Sequence, residues 1–273
     1  MGNLIFPPRY HNVMPFVDGV APVSLFGQWG LIGLDGEEIL PATFGMINTP
    51  GHGILFAGNG DGMALYKIAN HQQPTANSQQ PTATQLTPPV YLPCTPLNDN
   101  RIGVTHTPSG KQGFLDLDCN EAVPCQYDEV GRFVLGRTMV RIDNFYGIVD
   151  TQNNPILPIE YTNTLRSGEK YIYHDSLALV EKDGRLGFVD LQGNAVTGLL
   201  FSRAYPFSNG LASVCLNGLW GYIDRRGNTF IPFIFDLASP FRHHRAQVAL
   251  NGQSHNIDPQ GRCLSNCNGI ISF

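Results

Sequence analysis

Charge is scarce in this sequence. Only 14% of its 273 residues are Asp, Glu, Lys or Arg, well under the usual quarter. With 42% hydrophobic residues, the chain is too apolar to be disordered and solvated, and it is expected to fold. Its 17 Lys and Arg are scattered and are outnumbered by 22 Asp and Glu, leaving a formal charge of −5 and a pI near 5.9. That argues against a nucleic-acid partner, whose binding rests on cations neutralising phosphates. Long apolar runs are missing as well, so no membrane partner is expected. The first residues, MGNLIFPPRY, lack the cationic segment and apolar core of a secretory signal, and Phe6 stands where a myristoylation signal carries Ser or Thr. The expectation is a cytoplasmic protein.

Cysteine is also sparse. Cys94, Cys119, Cys125, Cys215, Cys263 and Cys267 are too few and too irregular for a disulfide scaffold at this length, and reduced thiols are expected. Cys263 and Cys267 are spaced to share a metal, but no second paired cluster accompanies them and His255 is the nearest histidine. Neither a metal nor a cofactor is expected. Helical signals are missing too: no apolar-periodic segment of helical length carries caps at both ends.

What is plentiful is Gly, at 30, and Pro, at 20, a composition of short strands joined by turns. The stretch from Leu211 to Asp236 sets the pattern. An apolar alternating run, Leu211 to Leu216, meets a two-residue turn at Asn217-Gly218, and large β-formers follow at Trp220 to Ile223. Asp224 to Gly227 supplies a second turn. A third strand, Phe230 to Phe235, is interrupted by Pro232, which cannot donate to a ladder and so belongs at an edge or bend.

This pattern recurs. Anchored on the Trp-Gly pair, copies centre on Gly30, Ala64, Gly113, Gly147, Gly187, Gly221 and His255. The step is 34 residues, lengthened by 15 between the second and third copies and by 6 between the fourth and fifth. Internal periodicity of this kind signals an array, solenoid or propeller. The seven units lie near 20–50, 53–70, 103–130, 136–165, 176–205, 210–240 and 245–273, in one repeat domain spanning 1–273. Gly2 to Pro7 matches Gly227 to Pro232 and reads as the third strand of a preceding unit. The insertion 71–89 is rich in Gln, Thr and Pro, has no charge or aromatics, and reads as a mobile loop.

Several columns recur with a physical reason. Asp falls three residues after the anchor at Asp116, Asp150, Asp190, Asp224 and Asp258, with Gly36, Asn153, Gly193, Gly227 and Gly261 six after it, a repeated turn. Pro falls eleven after at Pro41, Pro124, Pro158 and Pro232. Aromatics lie fourteen after (Phe44, Tyr127, Tyr161, Phe201, Phe235) and fourteen before (Phe16, Phe133, Tyr173, Phe207, Phe241). These rings are the expected core, each hiding its area against the next copy, because one unit of this size is too small to stand alone.

With Gln28-Trp29-Gly30, with Leu219-Trp220-Gly221-Tyr222-Ile223-Asp224 running on to Gly227 and Pro232, and with the spacer Tyr205 to Val214, the chain resembles the WG-repeat family of bacterial β-rich proteins. The resemblance covers nearly the whole chain, although only two copies keep both Trp and Gly. It implies an all-β scaffold without catalytic activity of its own, used for interaction and sometimes found beside bacterial toxin systems. Two geometries fit: an open, solenoid-like array of seven hairpin or three-stranded units, which is favoured, and a seven-bladed β-propeller, for which the repeat is short.

Chemistry-bearing motifs are few. Asp116-x-Asp118-x-Asn120 begins like a calcium loop, but Glu121 and Tyr127 stand where that loop carries Gly and Glu. Gly58 to Gly62 lacks the strand-to-helix context and the Lys of a phosphate cradle. The densest polar cluster is Arg242, His243, His244 and Arg245, in a loop that the sixth copy fills with Ser208, Asn209 and Gly210. Tyr171, His174 and Asp175, in the second insertion, form a similar group. Variable loops on a regular scaffold are where recognition is placed. The expected function is therefore a non-enzymatic protein-binding scaffold, more specifically an immunity-type protein that neutralises a cognate toxin. The alternative is a carbohydrate or cell-envelope module, which requires exposed aromatic columns.

Overall fold

The computed structural model describes residues 9–69, 81–162 and 173–264. The matched segment at Gly2 to Pro7, most of the second insertion and the end of the last copy lie outside them. All regular structure among the described residues is β, in small antiparallel sheets. The chain divides into two compact units, Met1–Gly136 with Thr151–Asn153, and Arg137–Asp150 with Asn154–Phe273.

The sixth copy shows how the sequence makes its sheet. Leu211–Leu216 and Leu219–Asp224 form a tight hairpin, Leu216 pairing with Leu219. Asn217 and Gly218 have φ of 51° and 87°, the doubly left-handed turn whose twist matches the flanking strands. Thr229–Phe235 then pairs with the second strand, with Trp220 opposite Phe235 and Tyr222 opposite Ile231. A step of two residues on one strand thus spans a step of four on the other, so that Gly221 faces Pro232, Phe233 and Ile234 and the surplus forms a bulge. The missing N–H of Pro232 falls where no ladder donor is needed. The same register shift recurs around Pro41, Pro124 and Pro158.

The bulge also explains the anchor glycine. A Cβ on Gly221 would lie 2.8 Å from the Ile231 carbonyl oxygen, and one on Gly113 would lie 2.5 Å from that of Val123. The bulged strand presses on the Cα of the middle one. Ala64 and His255 stand at the anchor of copies in which no such bulged strand is described.

Two elements depart from the sequence reading. A two-residue strand leads several copies, at Asn12–Val13, Tyr173–His174, Arg203–Ala204 and Leu237–Ala238, adding a further strand to those sheets. It is too short for periodicity to reveal. In addition, the insertion 71–89 is not a loop throughout. Thr82–Gln85 pairs antiparallel with Gly62–Ala69, and Thr87 Oγ1 accepts the Leu65 amide at 2.9 Å. A ladder draws on backbone groups, so a polar Thr-rich stretch can edge a sheet without burying much side chain. Because Met63 also pairs with Tyr91, the second and third copies merge into one eight-stranded sheet.

The core is aromatic, as the columns imply. Tyr127, Phe133, Phe201, Phe207, Phe235 and Phe241 are buried, whereas Phe44 and Tyr161 are half-buried and Phe16 is 40% exposed. The ring of Tyr173 lies outside the described residues. The ring fourteen before one anchor packs on the ring just after the preceding anchor: Phe133 on Phe114 at 4.6 Å, Phe207 on Phe188 at 4.8 Å, and Phe241 on Tyr222 at 4.9 Å between centroids. Backbone contacts join copies too. The carboxylates of Asp18, Asp99 and Asp175 accept the amides of Gly53, Gly136 and Gly210 in the following copies at 2.8–2.9 Å.

Candidate binding cleft

The repeated Asp carboxylates accept hydrogen bonds from their own turns. Asp224 Oδ1 accepts the amides of Arg226 and Asn228 at 2.8 and 2.9 Å, and the Asn228 side chain donates to Oδ2. Asp116, Asp150 and Asp190 do the same with Asn120, Asn154 and Asn194, and Arg262 replaces the Asn opposite Asp258. The Asn column four residues after the Asp escaped the sequence reading. Asp116 thereby accepts three hydrogen bonds from within its own turn. Partial burial works to raise its pKa, but the Asn120 and Asp118 hydrogen bonds outweigh it and hold the carboxyl below its usual range.

Burial pushes the thiols of Cys94 and Cys119 up to about 11 and that of Cys125 to about 12, so all three stay protonated and unreactive near neutrality. Those three and Cys215 are free, as expected, but Cys263 is disulfide-bonded, which corrects the expectation of reduced thiols throughout. Among the described residues no group of three His, Cys, Asp or Glu side chains is placed to hold a metal ion. No helix there is long and apolar enough to cross a membrane.

A cleft of about 1230 Å³ in the second compact unit is formed by the fifth, sixth and seventh copies. Two equivalent connecting segments, Arg203 to Ser208 and Leu237 to Arg242, contribute to its lining 34 residues apart. Tyr205 stacks on Trp220 at 5.7 Å and 27°, covering an indole that is 4% exposed. Three arginines, Arg203, Arg242 and Arg245, line the cleft and are exposed, and among the described residues that line it Glu181 is the one carboxylate.

His243 and His244 occupy a turn with φ of 48° and 60°. Equivalent turns hold Asp18-Gly19, Leu135-Gly136, Asp175-Ser176 and Asn209-Gly210. The His pair is therefore held in a conformation that L side chains resist. The turn sets Arg242 and Arg245 directly opposite each other, with their backbones exchanging hydrogen bonds of 2.8 and 3.0 Å. Val17 with Val20 and Ser208 with Leu211 are the uncharged counterparts.

The structure thus brings Arg242, Arg245 and His174 to one cleft, while His243 and His244 are exposed beside it. Asp175 does not line it: its carboxylate accepts the Gly210 amide and forms an ion pair with Arg225 at 2.9 Å. Tyr171 lies outside the described residues. Arg203 and Glu181 were not singled out from the sequence, and Tyr205 and Trp220 stood out there as repeat-motif residues rather than as part of a site. The 34-residue offset between 203–208 and 237–242 was the available signal.

A family model described as "WG containing repeat" matches residues 1–25, 113–144, 146–185, 187–220 and 220–253. The stretch between the first two matches contains the second copy and the insertion 71–89. No curated protein matches the sequence. Among solved structures, Kluyveromyces lactis Hsv2p is similar at 12% identity and a TM-score of 0.35, over 78% of this chain and 73% of that one. A structure described as the eukaryotic initiation factor is similar at 10% identity and a TM-score of 0.36, over 94% and 76%. Scores this low carry no argument about activity.

Proposed function

This chain belongs to the WG containing repeat family, and on that premise we propose that it is a non-enzymatic, protein-binding β-repeat scaffold whose partner sits in the cleft of the last three copies. The observation that carries this reading is the cleft itself. Three exposed arginines meet there beside a stacked Tyr205 and Trp220, on a framework whose other recurrent polar residues, the turn aspartates, are consumed by their own turns. Arginine and aromatic side chains are the residues most enriched at interface hot spots.

The more specific proposal is an immunity-type protein of the cytoplasm that binds a cognate toxin and blocks its active site. Expression of the product of the adjacent reading frame in a host cell, with and without this chain, tests it. Relief of growth arrest together with a stoichiometric complex on size-exclusion chromatography is the expected outcome. A harmless neighbour, or arrest that this chain leaves untouched, would remove the immunity reading. The carbohydrate alternative asks for exposed rings, and the aromatic columns lie largely in the core.

A further inference from the structure

We infer that the occupant of the cleft is an acidic, extended polypeptide segment, whose carboxylates are gripped by Arg203, Arg242 and Arg245. This rests on the scaffold reading and names the chemistry of its partner. Three observations lead to it. The protein as a whole is acidic, at −5, yet the described residues that line its cleft include three arginines against one glutamate. A local reversal of sign selects an anionic partner and steers its approach.

Next, no side-chain hydrogen bond or ion pair within the described residues engages any of the three guanidinium groups. Arg225 and Arg262, by contrast, are both paired with carboxylates. Finally, Arg242 and Arg245 are directly opposed across a two-residue turn and both line the cleft. Like charges so placed repel, and a carboxylate between them relieves the repulsion while offering each fork a two-pronged acceptor.

The remaining lining suits a polypeptide better than a polyphosphate. Leu237, 57% exposed, and half-buried Tyr205 offer apolar contact between the charges. Glu181 and the net negative charge of the chain disfavour a uniformly anionic polymer.

The test is fluorescence anisotropy on the full chain with a fluorescein-labelled peptide of alternating Glu and Leu. Its Gln-Leu and Lys-Leu counterparts and a labelled oligodeoxythymidine serve as comparisons. The Glu peptide is expected to bind saturably and to weaken with salt. The paired substitution Arg242→Gln with Arg245→Gln, which leaves the thermal unfolding midpoint in place, is expected to reduce affinity by about tenfold or more. Arg242→Lys with Arg245→Lys should fall between, because it keeps charge but loses the fork. Equal binding of Glu and Gln peptides, indifference to the Arg substitutions, or tighter binding of the oligodeoxythymidine would each overturn the inference. If the toxin partner binds the paired Gln variant as tightly as the parent, the acidic-segment inference falls and the scaffold reading stands. If no partner forms a complex with the parent chain, the scaffold reading itself falls.

Discussion

His244 holds a φ of 60° where the corresponding residues of four other copies, Gly19, Gly53, Gly136 and Gly210, are glycine. A side chain in that region costs about 1–2 kcal/mol, and the exposed imidazole has no burial to offset it. His244→Gly is expected to stabilise the protein by about 1 kcal/mol in urea unfolding. Retained strain beside a cleft is the signature of a position kept for something other than stability. The reverse holds at Gly221. A Cβ there would meet Ile231 O at 2.8 Å and Phe233 N at 3.0 Å, both backbone atoms that cannot swing aside. Gly221→Ala is expected to cost about 1–3 kcal/mol, read in the same experiment. The anchor glycine was legible in the sequence as a recurring residue. Its reason was not, because the atoms that demand it lie ten residues onward in a strand whose bulge only the register reveals.

At the scale of single turns, the Asp-centred loops act as a set. The carboxyls of Asp116, Asp190, Asp224 and Asp258 are each held below their ordinary range; slight burial opposes this, and amide and side-chain hydrogen bonds prevail. Depressed folded-state values mean that these groups add stability above the unfolded value of about 3.9, and that the contribution is lost as pH falls through the folded values. The unfolding midpoint is expected to drop steeply below about pH 4 and to be level, as far as these groups matter, above about pH 5. Replacing all four with Asn should flatten that acid limb. The Asp and Gly columns announced these turns. The insertion 71–89 shows what composition misses: Thr82 to Gln85 has little to bury, yet a partner strand with open backbone groups gives it an edge to occupy.

Within the second compact unit, the sixth copy is completed by the seventh. Phe241 of the seventh copy is fully buried against Tyr222 of the sixth, whose hydroxyl reaches the Ser239 carbonyl at 2.8 Å. Phe241→Ala is expected to cost about 3–5 kcal/mol. Because neighbouring copies stabilise one another, hydrogen exchange should report the loss first in the sixth and seventh copies. The cleft belongs to this scale, which is why the sequence disclosed only part of it. Arg242 and Arg245 stood out as a breach of the repeat. Arg203, Tyr205 and Trp220 looked like ordinary members of another copy until folding carried them to the same wall.

A chain assembled from many small sheets has many outer strands, and each is an invitation to a stray polypeptide. Glu38–Phe44, Glu121–Tyr127, Pro155–Tyr161 and Thr229–Phe235 all end their sheets, and each is broken by a proline inside its bulge. Such an outline cannot template a straight neighbour. Replacing Pro41, Pro124, Pro158 and Pro232 together with Thr is expected to leave monomers that cluster on concentration, with thioflavin fluorescence and light scattering rising where the parent stays clear. On that expectation, the same prolines that shape one fold also make its outer strands poor templates for a second molecule.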